Sequence, residues 1–174
     1  MNGFKCICIA LSLLLGLVSC GPKKVANPYE GFVYDPNEDE SVVVKIPYKD
    51  YGADLISLPV TINEGLGLNM IYDTGASVVN ISLLEAMQLM KNGTLTEEDV
   101  TGSVQQMVAD GTLKDGVMIN LRELSIGGKV TLKNVQAVIS ESVKAPLILG
   151  RNVFKMFREV SVDESEKVVK FYKY

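Results

Sequence analysis

From Val42 onward, short apolar or β-branched runs alternate with clusters of Gly, Asn, Asp and Ser. Val42 to Ile46 is strand-like, and Leu55 to Ile62 and Leu68 to Tyr72 flank a turn at Asn63-Glu64-Gly65, which predicts a hairpin. Ser82-Leu83-Leu84-Glu85 matches a capping box, and Leu84, Met87 and Met90 or Lys91 follow at helical spacing until Asn92-Gly93. Thr96-Glu97-Glu98-Asp99 can cap one more turn. Val104 to Val108 and Val117 to Leu121 flank Ala109 to Gly116, a hairpin tip where Gly111 and Gly116 supply positive φ and mobility. Leu124-Ser125-Ile126 and Val130 to Leu132 surround a Gly127-Gly128 turn, and Val135 to Ile139 follows. Val160-Ser161-Val162 and Lys167 to Tyr172 close the chain around Asp163 to Glu166. In the last run Val168, Lys170 and Tyr172 alternate with Val169, Phe171 and Lys173, the period of a half-buried strand. Many short strands with Gly and Asp turns predict an all-β, closed or partly closed barrel with one or two short helices.

The N-terminus has a different pattern. Met1 to Ser19 places Lys5 before an almost wholly apolar run from Ile7 to Val18, the form of an export signal. A spanning helix needs about 20 apolar residues, so the run is short for an anchor. Leu17-Val18-Ser19-Cys20 resembles the bacterial lipobox, with cleavage before Cys20 and lipid on its thiol. An uncleaved anchor, or a secretory signal beside a stray cysteine, are the alternatives. Residues 20–41 hold Pro22, Pro28 and Pro36 among polar residues and read as a tether; Tyr29, Phe32 and Tyr34 leave room for it to pack on the domain. The organisation expected is a signal peptide over 1–19, a lipidated Cys20 and tether over 20–41, and one domain over 42–174. That organisation predicts a cell-envelope lipoprotein held to the membrane through Cys20. Gly21 is compatible with the outer membrane, facing the periplasm or the surface.

Composition narrows the chemistry. The chain has 174 residues and a net charge of −4, with no Lys/Arg cluster, which argues against a nucleic-acid surface. It contains no histidine, so Ser-His and Cys-His nucleophiles and the commonest metal ligand are absent. The three cysteines, Cys6, Cys8 and Cys20, all precede the domain, so no disulfide is expected within it. Asp110, Asp115 and Asp163 sit in turns, and Glu97, Glu98 and Asp99 look like helix-start charges. No metal and no cofactor is expected. Chemistry by carboxylate alone remains.

Asp73-Thr74-Gly75-Ala76-Ser77 puts a carboxylate in a tight turn between the apolar runs Leu68 to Tyr72 and Val78 to Ile81, where core packing asks for none. A charge there is costly unless partnered. One natural partner is a second copy of the same carboxylate across a two-fold axis, with one proton shared. Thr74 can donate its hydroxyl across such an axis, Gly75 lets backbone approach a substrate, and Ala76 keeps the floor small. Far downstream, Pro146-Leu147 leads into Ile148-Leu149-Gly150-Arg151-Asn152. The two motifs, in this order and with a hairpin between them, resemble the retropepsin-like (clan AA) aspartic proteases over about residues 42–174. In viral members the helix after the second motif also opens with Arg-Asn. Those enzymes often carry an Asp directly after the Asp-Thr-Gly-Ala, paired with the helix Arg; here Ser77 stands in that place, so another carboxylate would have to pair with Arg151.

The resemblance implies an acid-protease barrel in which the hairpin around Gly111 is a flap closing on an extended peptide. A single motif per chain implies a homodimer with one Asp73 from each subunit. The ionised carboxylate would draw a proton from a water held between the pair, and the protonated one would polarise the scissile carbonyl, without a covalent intermediate. Thr74 and Gly75 support Asp73; Ala76, Ser77, Val78, Gly111 and Ile148 are the implied subsite residues. Lys167 to Tyr174 is expected to form a terminal strand that joins its symmetry mate. The competing readings are a non-catalytic peptide- or partner-binding lipoprotein on the same fold, and a structural lipoprotein with the triplet by coincidence.

Overall fold

The structure is a computed structural model that describes residues 44–108 and 110–172. The export signal, Cys20, the tether, Val42, Val43, Ala109, Lys173 and Tyr174 lie outside those residues. Strand β1 is Val44–Pro47 and β2 Lys49–Asp50; β3 (Ile56–Ile62) and β4 (Leu66–Tyr72) form the expected hairpin. Its turn carries positive φ at Asn63 and Glu64, and Asn63 is held by Nδ2 donating to the Thr94 carbonyl and Oδ1 accepting from Glu123 N–H. Short strand β5 (Val79–Ile81) enters helix α1 (Leu83–Lys91), and a 3-10 turn at Glu97–Asp99 follows. Then come β6 (Val100–Met107), β7 (Leu113–Ile126), β8 (Val130–Ser140), β9 (Ile148–Leu149), α2 (Arg151–Phe154), β10 (Glu159–Asp163) and β11 (Val168–Tyr172).

Eight strands form one sheet in the order β2-β3-β4-β9-β5-β8-β7-β6, and the extra pairing of β3 with β7 closes it into a barrel. Alternation drives this. In β7 the buried positions Ile119, Leu121, Leu124 and Ile126 meet Leu58, Val60 and Ile62 of β3 in one apolar interior. The chain is therefore an all-β barrel with two short helices. A three-stranded sheet, β1-β11-β10, packs beside it. Ile46 and Phe171 are fully buried, and the Phe157 and Phe171 rings meet edge to face at 4.9 Å. Burial of a side chain such as Phe171 contributes roughly 2–3 kcal/mol.

Two expectations are corrected. The β6–β7 strands run closer to the tip than the residue pattern suggested, leaving a loop of residues 108–112. Gly111 has φ +83° at that tip, whereas Gly116 lies buried within β7. A Cβ on Gly116 would come 2.6 Å from Val138 Cγ1, so this glycine serves close strand packing and not turn mobility. The terminal strand is the second correction. β11 pairs with β1 on one side and β10 on the other, so its hydrogen-bonding edges are already occupied within the chain. The cause is the turn at Asp163 to Glu166, which folds the last strand back inside the sheet. Between Val168 and Tyr172, β11 has no free strand edge to offer a symmetry mate. Helix α1 forms where the capping box and spacing placed it. Ser82 caps it by accepting from Leu84 N–H, and its hydroxyl meets the Glu85 carboxylate. Yet the buried face is Ala86 and Leu89, while Leu84, Met87 and Met90 face solvent.

The β10–β11 turn makes the fold sensitive to acid. The Lys170 ammonium bonded to Asp163, helped by the Ser165 hydroxyl and Glu166 N–H, holds the Asp163 carboxyl well below the usual carboxylate range. The same bond to Asp163 raises Lys170. A depressed carboxylate contributes stability that is present above its ordinary value, about 4, and is lost as pH falls below it. The expected result is that Asp163→Asn lowers Tm at neutral pH but flattens its further fall below about pH 4. Thermal melts from neutral to strongly acid pH measure this; parallel Tm curves for parent and variant would show that the turn contributes nothing.

Candidate active site

Strand β4 delivers the Asp73 turn. Asp73 Oδ1 accepts the N–H groups of Gly75 at 2.8 Å and Ala76 at 3.2 Å, folding the chain back on its own carboxylate. Among the described residues Oδ2 has no hydrogen-bond partner. A Cβ on Gly75 would stand 3.1 Å from Oδ1, so glycine keeps this approach free. Thr74, Gly75 and Ser77 are exposed, and Asp73, Ala76 and Val78 are half-buried.

The second motif wraps the first. β9 lies parallel to β4, pairing Ile71 with Ile148 and Tyr72 with Leu149, and meets β5 at Asn80. Asp73 N–H donates to the Leu149 carbonyl, Arg151 N–H to Ala76 and Asn152 N–H to Ser77. Gly150 sits directly under Val78: a Cβ would fall 2.2 Å from its carbonyl oxygen. Asp73, Thr74, Gly75, Ala76, Ser77 and Val78 are thus brought together with Ile148, Leu149, Gly150, Arg151 and Asn152. Leu149 is fully buried and serves the core, while Ile148 is half-buried. Asn152 Nδ2 anchors the helix start on the Gln136 carbonyl. The Arg151 side chain is exposed, and no carboxylate among the described residues pairs with it. Gly111 stands apart at the hairpin tip, where its N–H donates to Val108, and makes no hydrogen bond to the Asp73 turn.

Two supports escaped the residue pattern. Asn80, buried in β5, donates from Nδ2 to the Pro146 carbonyl and accepts from the Ser140 hydroxyl, tying the strand after the first motif to the loop before the second. A lone amide within Val78-Val79-Asn80-Ile81 was the available signal, since a buried polar side chain needs partners. Beneath the turn, the Tyr72 and Phe154 rings lie 4.4 Å apart, and burial pushes the Tyr72 phenol up. No group of three His, Cys, Asp or Glu side chains among the described residues is placed to hold a metal ion.

A closed barrel with an Asp-Thr-Gly turn threaded through a second glycine motif defines a retropepsin-like fold. The crystal structure of a retropepsin-like aspartic protease from Rickettsia conorii is similar, with a TM-score of 0.51 and 15% identity over 75% of this chain and 89% of that one. At that identity the likeness is one of fold. No curated protein matches the sequence. The family described as aspartyl protease matches residues 58–153, which contain the Asp73 turn and the second motif through Val153. The chain belongs to the aspartyl protease family.

Proposed function

We propose that this protein is an aspartic endopeptidase whose site forms on the two-fold axis of a homodimer, one Asp73 from each subunit. The observation that carries this reading is the Asp73 carboxylate itself. One oxygen is held by two backbone N–H groups, and the other has no partner among the described residues. A rigidly held carboxylate with one free oxygen is what a paired site requires: the free oxygens of two subunits share a proton and hold a water. The ionised member takes a proton from that water as it attacks the scissile carbonyl, whose oxygen the protonated member polarises. The β6–β7 hairpin supports the reading. Met107 and Leu113 oppose each other near its tip and are 74% and 61% exposed, an apolar pair on the hairpin that the reading takes as the flap.

Subunit mixing tests the shared site. In an equal mixture of parent and Asp73→Asn chains, reassembled at random, only parent homodimers cut, so about a quarter of the activity remains. Half the activity remaining would mean that each chain works alone. A strictly monomeric protein that binds peptide without cutting would establish the binding-module reading instead.

A further inference from the structure

Arg151 stands beside the Asp73 turn as a cation without a counter-charge. Its backbone N–H donates to the Ala76 carbonyl at 2.8 Å, and Ala76 N–H donates to Asp73 Oδ1 at 3.2 Å. A residue's own amide nitrogen and carbonyl oxygen are about 3–4 Å apart, so the Arg151 nitrogen lies within about 10 Å of the Asp73 carboxylate. The Arg151 side chain is exposed, and Lys155 repeats its charge one turn on. Lys155 N–H donates to the Arg151 carbonyl at 3.0 Å, which sets both exposed side chains on one face. The other arginines are engaged: Arg122 meets Asp99 at 3.6 Å, and Arg158 lies 5.8 Å from the Tyr172 ring centre. Nothing packed on α2 neutralises Arg151. α2 packs against β5 and β8. β5 carries no charge, and the charged residue of β8, Lys133, pairs with Glu123 at 2.6 Å. The carboxylate of the Asp73 turn is Asp73 itself, and Ser77, whose carbonyl accepts Asn152 N–H at 3.2 Å, offers only a hydroxyl. Glu159 is the next carboxylate along the chain, and no described carboxylate lies within ion-pair distance of Arg151 or Lys155.

We propose that Arg151 is a specificity residue, whose guanidinium takes an Asp or Glu side chain of the substrate two to four residues from the scissile bond, with Lys155 adding to the field. The inference rests on the protease reading above. An extended peptide rises about 3.3 Å per residue, so it covers the separation between Asp73 and Arg151 in about three residues. A planar guanidinium binds a carboxylate through two parallel hydrogen bonds, which suits recognition of one side chain. Exposed ion pairs contribute little to assembly, so a carboxylate of a second subunit is the weaker use of this group. On a substrate a few-fold difference is enough to select Glu over its neutral isostere Gln.

The test uses the full chain and decapeptides with acetylated and amidated ends around a fixed Leu-Phe centre. Glu, Gln or Lys occupies one position at a time, from the second to the fourth residue on either side of the centre. The expected result is that, at one or more of these positions, the parent cleaves the Glu peptide with kcat/KM about fivefold above the Gln peptide, chiefly through KM, with Lys below Gln. The margin shrinks in about 0.5 M NaCl, as screening requires. Arg151→Gln levels Glu and Gln, Arg151→Lys keeps part of the difference, and Arg151→Glu makes Lys the preferred residue. Each reading is a ratio within one variant, so a general loss of activity does not mask it. Binding of the same peptides to Asp73→Asn, with and without Arg151→Gln, reads the charge preference without cleavage. A Glu preference absent from the parent, or kept in Arg151→Gln, overturns the proposal. So does an Arg151→Glu chain whose dimer weakens in sedimentation while its peptide preference is unaltered, since the carboxylate then belongs to a second subunit. If the parent cleaves no peptide, the protease reading fails separately and the binding arm decides: no Glu preference there, or no peptide bound at all, overturns the proposal.

Discussion

Asp73→Asn is expected to abolish peptide cleavage, by roughly 10³-fold or more, while leaving the fold in place. The asparagine carbonyl can still accept the Gly75 and Ala76 N–H groups, so the turn that holds the side chain survives. On the proposed mechanism, what disappears is the capacity to share a proton with a second carboxylate and to activate water. Stability should therefore stay within about 1 kcal/mol of the parent, as for substitutions that keep their hydrogen bonds. Peptide hydrolysis and denaturant unfolding of the same preparations measure both halves. Retained hydrolysis in a rigorously purified variant would place the activity elsewhere, and without histidine the chain has no Ser-His or Cys-His route to supply it.

Gly150→Ala is expected to damage the fold itself. The added Cβ would fall 2.2 Å from the Val78 carbonyl oxygen, 2.4 Å from its carbon and 2.8 Å from its Cα. Those are backbone atoms, and no rotamer change relieves the clash. Gly150 has φ −91°, so the demand for glycine is spatial and not conformational. Overpacking usually costs 1–3 kcal/mol, and a backbone collision at the crossing of both motifs should cost about 3 kcal/mol or more. Gly111→Ala is the control: φ is +83° but nothing lies within 4 Å of the added Cβ, so the loss should be about 1 kcal/mol. Denaturant midpoints for the two variants decide the matter. Equal midpoints would mean that the Gly150–Val78 approach relaxes freely.

Much of this architecture was legible because its signals are local. Turn residues marked the β3–β4, β7–β8 and β10–β11 hairpins, and Ser82 with Asn92-Gly93 bounded α1. The Asp73 motif also stood out, since a carboxylate between apolar runs breaks the expected pattern, and the Gly150 motif was marked by its family resemblance. Relations between distant segments were not legible. Asn80 was recognisable as an odd residue in a strand, but its partners Ser140 and Pro146 are far along the chain.

The chain by itself determined that short alternating strands would close around an apolar interior, and that one carboxylate would sit in a turn between two of them. Only the tertiary structure decided which faces meet. α1 offers two apolar stripes, Leu83-Ala86-Leu89 and Leu84-Met87-Met90, and helical period alone cannot choose between them. The bonds from Ser82 and Leu83 to the Val143 and Ser142 carbonyls help set the rotation, which buries Ala86 and Leu89 and leaves Leu84, Met87 and Met90 outward. Similarly, residue pattern identified β11 as a strand, but its place between β1 and β10 follows from pairing across the whole length of the domain. Local propensity sets what each segment becomes; long-range hydrogen bonds and packing set where it points.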